Sequence, residues 1–111
     1  MYQLVIDENL LTLEFLEVPL SRNTKPSPRT AHSMIDLEGG NAILIGGVGL
    51  EGTYKDQLLR DMWIFNTDEL SWTRVDPANG ILRGFCEGSL CKHNNKIMII
   101  GGLAERLDTW N

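Results

Sequence analysis

The 111-residue sequence predicts an all-β protein built from antiparallel strands that recur along the chain. An apolar run closed by Gly-Gly occurs twice, and the distance from Gly46 to Gly101 is 55 residues. Short apolar and aromatic segments alternate with turn-forming residues, as in strands joined by short connections. No stretch keeps the 3.6-residue apolar period of an amphipathic helix. These three features favour repeated strands over any helical arrangement.

Composition and charge limit the function classes. Apolar residues make up 42% and charged residues 23%, which is ordinary for a folded globular chain. The net charge of −5 argues against non-specific nucleic-acid binding, which needs a basic face. Residues 19–34 contain the basic residues Arg22, Lys25 and Arg29 and no acidic residue. Residues 1–18 contain acidic residues and no basic one.

Cysteine usage and the N-terminal residues predict a compartment. Cys86 and Cys91 are too few for a disulfide framework. On one extended strand they would point to opposite faces and could not pair, and free thiols suit a reducing compartment. Residues 1–20 lack the basic start of a signal peptide, and no apolar run is as long as a membrane helix. We therefore expect the cytoplasm or the nucleus and no membrane.

The chain opens with two predicted strands. Residues 4–7 and 11–13 match residues 63–66 and 70–72 at a uniform shift of 59. The later pair is aromatic and β-branched around the turn-like Asn66-Thr67-Asp68, as expected for two strands joined by a turn. Residues 1–18 are therefore predicted to hold a similar pair.

A polar motif precedes each apolar run. Arg29-Thr30-Ala31-His32-Ser33 stands before the first run, and Arg83-Gly84-Phe85-Cys86-Glu87 stands before the second, 54 residues later. This alignment puts Cys86 where the first copy has His32. The runs themselves, residues 42–45 and 97–100, are typical of strands buried on both faces.

A third motif follows each Gly-Gly pair. Asp61-Met62-Trp63 follows the first pair and Asp108-Thr109-Trp110 the second, 47 residues apart, so the second connection is about eight residues shorter. Residues 70–75, which contain Trp72, continue as a last strand. Loops vary in length while strands do not, so a repeat of strands explains the spacing.

The ordered set of Arg-x-x-His-Ser, apolar strand, Gly-Gly, Asp-x-Trp and a final Trp resembles the kelch repeat. The resemblance implies a fragment of a kelch-type β-propeller with antiparallel four-stranded blades. Residues 31–75 would be a complete blade, 1–18 the last two strands of the preceding blade, and 83–111 the first strands of the next, truncated blade. Residues 19–30 and 76–82 would be interblade loops. A closed propeller needs at least four blades, so we expect completion by further blades of the same polypeptide or by other chains.

The recurring residues are predicted to be structural. Glycine in each Gly-Gly pair allows a tight bend where strands crowd, and neither pair is followed by the helix start that a phosphate-binding loop requires. We predict that His32 is buried and hydrogen-bonded to backbone carbonyls beside Arg29 and Ser33, rather than a base or a metal ligand. The predicted structural set is Arg29, His32, Ser33, Gly46, Gly47, Asp61, Trp63, Trp72, Arg83, Gly101, Gly102, Asp108 and Trp110.

Aspartates and tryptophans of this set could also suggest chemistry. Asp61 and Asp108 occupy the same place in two repeats, so they are predicted to accept backbone N–H groups at a strand start rather than to act as a catalytic pair. Trp63, Trp72 and Trp110 are predicted to pack between blades. We therefore predict no catalytic residue among them.

Two further sites stay open as alternatives. Cys86, Cys91 and His93 could be proposed as zinc ligands, but their spacing matches no common zinc pattern, and we expect no metal or cofactor. Ser27-Pro28 is either a phosphorylation site, where a phosphate would reverse the local charge, or part of a plain interblade linker.

Strand alternation predicts a binding surface. In an antiparallel blade, alternate connections emerge on alternate sides, so residues 48–60 should lie beside the joins 19–30 and 76–82. Long polar loops on a rigid scaffold commonly carry recognition, and kelch propellers that this chain resembles often bind proteins. We predict a protein-interaction module with an acidic protein partner, and with contact residues Glu51, Tyr54, Lys55, Asp56, Arg60, Arg22 and Lys25.

The alternative is an enzyme fragment. Some kelch-like propellers are copper radical oxidases or sugar-modifying enzymes, and others are attached to a catalytic domain such as a methyltransferase. A copper site needs several His and Tyr together, whereas Tyr2, Tyr54, His32 and His93 are scattered over unrelated motifs. We therefore expect no catalysis by these residues.

Overall fold

The chain was analysed as a computed structural model that describes residues 2–7, 12–76 and 83–104, with side chains described from Glu17 onward. The described chain is all-β, and every pairing between its strands is antiparallel. Its helical content is a single 3-10 turn, Gly52–Tyr54. The predicted all-β class is confirmed at this level, and no sheet among the described strands closes on itself.

The strands follow one another in the order β1 (Tyr2–Asp7), β2 (Thr12–Glu17), β3 (Arg29–Thr30), β4 (Ser33–Glu38), β5 (Asn41–Ile45), β6 (Val48–Gly49), β7 (Met62–Asn66), β8 (Ser71–Val75), β9 (Phe85–Cys86), β10 (Ser89–His93), β11 (Lys96–Ile100) and β12 (Leu103–Ala104). The pairs β1–β2, β3–β6, β9–β12 and β10–β11 are two-stranded, and β4-β5-β7-β8 form a four-stranded sheet in that order.

The four-stranded sheet spans residues 33–75, inside the predicted blade 31–75. Its last turn is fixed by Asn66, whose Oδ1 accepts hydrogen bonds from the backbone N–H groups of Asp68 (2.9 Å) and Glu69 (2.8 Å). Asparagine commonly closes turns in this way. The turn therefore returns the chain beside β7 and pairs Phe65 with Trp72.

Both faces of this sheet are buried at β5. Ile43, Leu44 and Ile45 are 6%, 5% and 3% exposed, which confirms the prediction of a strand covered on two sides. Because side chains alternate along a strand, Leu44 joins Trp63, Phe65 and Trp72 on one face, and Ile43 and Ile45 lie on the other. The Phe65 and Trp72 rings meet at a centroid distance of 4.9 Å.

We call β4–β5 the first hairpin and β10–β11 the second hairpin. The face that carries Ile43 and Ile45 packs on the second hairpin. Phe85 is buried against these two isoleucines, and Leu90 and Ile97 pack at the edge of the same cluster. Backbone hydrogen bonds join the same two parts: the Gly47 N–H donates to the Phe85 carbonyl (2.8 Å), and the Glu87 N–H donates to the Ala31 carbonyl (2.9 Å).

The two hairpins are structural copies of each other. In each hairpin both strands are interrupted for two residues, at 31–32 and 46–47 in the first and at 87–88 and 101–102 in the second. Beyond this break the strands pair again, as β3–β6 or β9–β12, in the same register. The breaks share left-handed backbone conformations: φ is 58° at both Ala31 and Glu87, 66° at Gly46 and 74° at Gly101. The repeat seen in the sequence is therefore a repeat of backbone geometry.

The register corrects the alignment of the two polar motifs. Ser33 pairs with Ile45, and Ser89 pairs with Ile100, so these two serines are equivalent. The equivalence is 56 residues rather than 54, which puts Gly88 at the position of His32 and Cys86 at that of Thr30. A β-bulge between Asp36 and Glu38 lengthens the first hairpin by one residue, and this accounts for the 55-residue spacing downstream.

The second apolar run differs from the first in burial. Met98, Ile99 and Ile100 are 46%, 43% and 57% exposed, so the prediction that this run is covered on both faces is wrong in this chain. The equivalent strand β5 has β7 at its other edge and a hairpin against one face. Among the described residues, β11 pairs with β10 alone.

The cysteines also differ from the prediction. Cys86 is in β9 and is buried, whereas Cys91 is in β10 and is exposed. They therefore do not share one continuous strand, because the break at Glu87 separates β9 from β10. Both thiols are free, as predicted.

We predict that Trp72→Ala lowers the free energy of unfolding of the protein by about 3–5 kcal/mol, the usual cost of deleting a large buried aromatic ring. Thr73→Ala, an exposed neighbour on β8, should stay within about 0.5 kcal/mol of the unaltered protein. Urea unfolding of both variants measures this. Equal stability of the two variants would contradict the burial of Trp72.

We predict that a protein consisting of residues 1–111 alone self-associates, because β11 exposes apolar side chains and, among the described residues, pairs with β10 alone. Replacing Met98 by Glu and Ile100 by Lys should reduce the association seen by light scattering. The unaltered chain behaving as a monodisperse monomer with a sharp unfolding transition would refute the prediction.

Candidate interaction surface

A buried ion pair joins the start of the first hairpin to the start of β7. The Arg29 Nη1 and Nη2 atoms donate to Asp61 Oδ1 (2.7 Å) and Oδ2 (2.9 Å), and Trp63 Nε1 also donates to Asp61 Oδ2 (2.7 Å). The Arg29 and Asp61 side chains are 2% and 18% exposed. Nη1 also donates to the Gly46 carbonyl (3.1 Å), so the pair is tied to the Gly-Gly bend.

The environment of Asp61 favours its charged form. Burial alone raises the pKa of this carboxyl, but hydrogen bonds from Arg29 and Trp63, together with the charge of Arg29, lower the pKa below its ordinary value. A backbone hydrogen bond at Asp61 also lowers this pKa, so the carboxylate is held both by side chains and by backbone. The structural role of Asp61 stays a prediction.

The ion pair closes the base of the long loop, residues 48–60. Inside the loop, β6 pairs with β3, and the Leu59 N–H donates to the Gly47 carbonyl (2.8 Å) while Leu59 itself is buried. The backbone of Asp56 bonds to the Gly49 carbonyl (2.9 Å). A Cβ on Gly49 would collide with the backbone of Tyr54, so close approach requires glycine there. The loop is therefore folded on itself and presents a fixed surface.

Tyr54 lies at the tip of this loop, in the 3-10 turn, and is 59% exposed. The other loop residues predicted to contact a partner are exposed as well: Glu51, Lys55, Asp56 and Arg60. An exposed aromatic ring on an ordered loop offers contact area at low entropic cost.

The join that precedes the first hairpin crosses a face of the sheet. It is bonded near the β7–β8 turn, where the Ser21 N–H donates to the Leu70 carbonyl (2.9 Å) and Arg22 approaches Glu69 at 3.9 Å. It ends at Arg29 beside the long loop. Arg22 is therefore at the end of the sheet opposite to the loop, and the predicted contact set is divided.

Lys25 lies with the loop residues. It lines a groove of about 580 Å³ together with Tyr54 and Arg60, and Trp63 and Arg74 also line this groove. Glu51, Lys55 and Asp56 do not line it. The exposed Ser27 lines it too, and Ser27 Oγ accepts a hydrogen bond from Arg29 Nη2 (3.3 Å). We call this cavity the loop groove.

Sequence reasoning did not assign Trp63 and Arg74, among other lining residues, to a binding surface. Trp63 and Arg74 are directly opposite each other in the β7–β8 ladder. Residues paired in this way point to the same face, so a correct strand register would have placed Arg74 beside Trp63. The sequence alone did not fix that register.

His32 is exposed, and the prediction that it is buried is wrong. Partial burial and then the charge of Arg29 lower its pKa. Ser33 is buried and donates to the Gly88 carbonyl of the second copy. The hydrogen bonds to backbone carbonyls that were expected of His32 are made by its neighbours instead. Arg29, before the interruption at residues 31–32, donates to Gly46, and Ser33, after it, donates to Gly88.

The second copy of the motif is less complete in the described residues. Phe85 is equivalent to Arg29 in register, and Arg83 is exposed two positions earlier. Asp108 and Trp110 lie outside the described residues, as do residues 77–82 of the second join.

The described residues contain no cluster of three or more metal-binding side chains and no helix long and apolar enough to cross a membrane. His93 Nε2 lies 3.1 Å from Asn94 Nδ2 at the hairpin turn of β10–β11.

Comparison with known proteins gives a similarity to a dynein chain. No model of a known protein family matches the chain. Over 77 residues, 69% of its length, the chain is 26% identical to the dynein alpha chain of the flagellar outer arm from Chlamydomonas reinhardtii. The match spans about 2% of the length of that dynein chain.

We predict that Asp61→Asn lowers the free energy of unfolding at pH 7 by about 3–5 kcal/mol, because it leaves the Arg29 charge buried without its partner. The folded pKa of Asp61 is lowered, so its stabilisation is present above the unfolded value, near 3.8, and is lost as pH falls through the folded pKa. The variant should therefore lose part of the acid sensitivity of unfolding.

Asp68→Asn is the matched control, since Asp68 is exposed at the β7–β8 turn. Thermal unfolding between pH 2 and pH 7 measures both variants. An Asp61→Asn protein that keeps the stability of the control would rule out a structural role for the ion pair.

Proposed function

We propose that residues 31–75 form one blade of a kelch-type β-propeller and that the chain is a protein-interaction module. The observation that carries the proposal is the stacking of two equivalent hairpins, with Leu90 and Ile97 of the second, and Phe85 of the adjoining β9, packed around Ile43 and Ile45 of the first. Stacked, repeated sheets are the arrangement expected of propeller blades. The four-stranded sheet has apolar side chains on both faces, so a neighbouring blade could pack on each face.

The similarity to the dynein chain fits a shared structural unit. The matching segment of 77 residues is longer than one 55-residue repeat, but it makes up only 2% of the dynein chain. We therefore infer no activity of that whole protein for this chain. Further blades, from the same polypeptide or from other chains, would cover the exposed face of β11.

The proposed binding surface is the long loop with the end of the first join. The loop is held by the Arg29–Asp61 pair and carries Tyr54 exposed at its tip. Loops fixed on a rigid sheet are common recognition sites. We propose an acidic protein partner, no catalytic step and no nucleic-acid partner. A cytoplasmic or nuclear location is part of the same proposal and would be checked by imaging the tagged protein.

We predict that Tyr54→Ala weakens binding to the protein captured by the full-length chain by about 1–3 kcal/mol, the range for an aromatic contact residue. Stability should change little, since the ring is exposed. Affinity measurement by calorimetry and thermal unfolding test the two parts.

The control is Asp68→Ala, at the opposite end of the sheet. Loss of affinity in the control, with none in Tyr54→Ala, would move the binding surface to the β7–β8 turn. Failure of the full-length protein to bind any protein would remove the proposed function itself.

A further inference from the structure

The loop groove has walls from segments distant in sequence. Lys25 and Ser27 of the first join lie on one side, and Tyr54 and residues 57–60 of the long loop lie on the other. Trp63 and Arg74, neighbours across β7 and β8, complete the lining. Its volume of about 580 Å³ is within the range of cavities that hold ligands.

The charge of the loop groove is opposite to that of the chain. Three basic side chains line it, those of Lys25, Arg60 and Arg74, although the chain has a net charge of −5. Asp61 is the one acidic side chain among the described residues of the lining, and it is already bonded to Arg29 and Trp63. Among the described residues, Lys25 and Arg74 therefore give the loop groove an excess of positive charge without any contribution from Arg60.

The nearby acids leave this excess in place. Arg74 Nε approaches Asp76 Oδ1 at 3.7 Å, and both side chains are largely exposed (61% and 88%). Such exposed pairs are weak and screened by solvent. Glu51 and Asp56 belong to the same loop but lie outside the lining.

Apolar surface accompanies the charge. Leu58 and Trp63 line the loop groove, and Tyr54 stands there with more than half of its side chain exposed. A ligand would therefore meet both cationic groups and an aromatic ring. A free inorganic anion would bind to the cationic groups but would make no use of the aromatic ring.

We propose that the loop groove binds a short acidic segment of the partner protein, with carboxylates beside Lys25 and Arg74 and an apolar side chain beside Tyr54. This inference rests on the proposed function and names the chemistry of its partner. A nucleic acid is the less favoured polyanion, because its phosphates call for a broad basic face, whereas the basic residues here are confined to one groove.

The test uses two fluorescein-labelled ten-residue peptides and the full-length protein. One peptide carries four Asp and Glu residues around a central Phe-Leu, and the other has Asn and Gln in their place. We expect anisotropy titrations to show binding of the acidic peptide, weakening as salt rises, and at least tenfold weaker binding of the amide peptide. Equal binding of both peptides, or none of the acidic one, would overturn the inference.

Charge reversal locates the site. Lys25→Glu combined with Arg74→Glu should weaken binding of the acidic peptide by about tenfold, as expected when two exposed attractions become repulsions. Arg83→Glu combined with Lys96→Glu changes the net charge equally at exposed positions outside the groove, and should leave binding within about twofold. Equal losses in the two double variants would show that net charge, not the groove, controls binding.

Competition and capture distinguish the remaining outcomes. A ten-nucleotide single-stranded DNA should not displace the peptide, and displacement at equal concentration would identify a general polyanion site instead. If the groove variants lose no peptide affinity while Tyr54→Ala still loses the captured partner, this inference fails and the proposed function stands.

Discussion

The Arg29–Asp61 ion pair is the interaction on which the arrangement of this chain depends. Arg29 is almost fully buried, and its guanidinium bonds Asp61 at the start of β7 and the carbonyl of Gly46 at the end of β5. A buried charge is tolerated only with its partners in place. One side chain therefore fixes the join, the Gly-Gly bend and the base of the long loop in a single geometry.

Burial on both faces restricts where this sheet can meet other molecules. Ile43 and Ile45 are covered by the second hairpin, while Leu44 and Trp72 lie under the first join. Their apolar surface is committed to internal packing. The end of the sheet from which the loop carrying Tyr54 projects stays exposed, and this end also carries the loop groove, the binding site we propose.

Much of the fold could be predicted from local sequence patterns. Less of the site could, because it depends on the pairing of residues far apart in the sequence. The apolar run of β5, the Gly-Gly bend and the turn at Asn66 depend on nearby residues and were predicted correctly. The register of the second motif was not, because Phe85 stands at the position of Arg29, while Arg83, two residues earlier, gives a matching side chain at the wrong position. The bulge after Asp36 then changes the spacing by one residue. Strand alternation predicted the loop beside the first join, but the presence of Trp63 and Arg74 in the loop groove depends on the register of β7 and β8, which no local pattern indicated.

The distance along the chain between Arg29 and Asp61 has a consequence for folding. The β4–β5 and β7–β8 hairpins join residues close in sequence, so their pairing closes short loops at small entropic cost. The ion pair closes a segment of 32 residues, and its charges are desolvated when the surrounding chain packs. We expect the hairpins to form early and the long loop, which carries the proposed binding surface, to become ordered later.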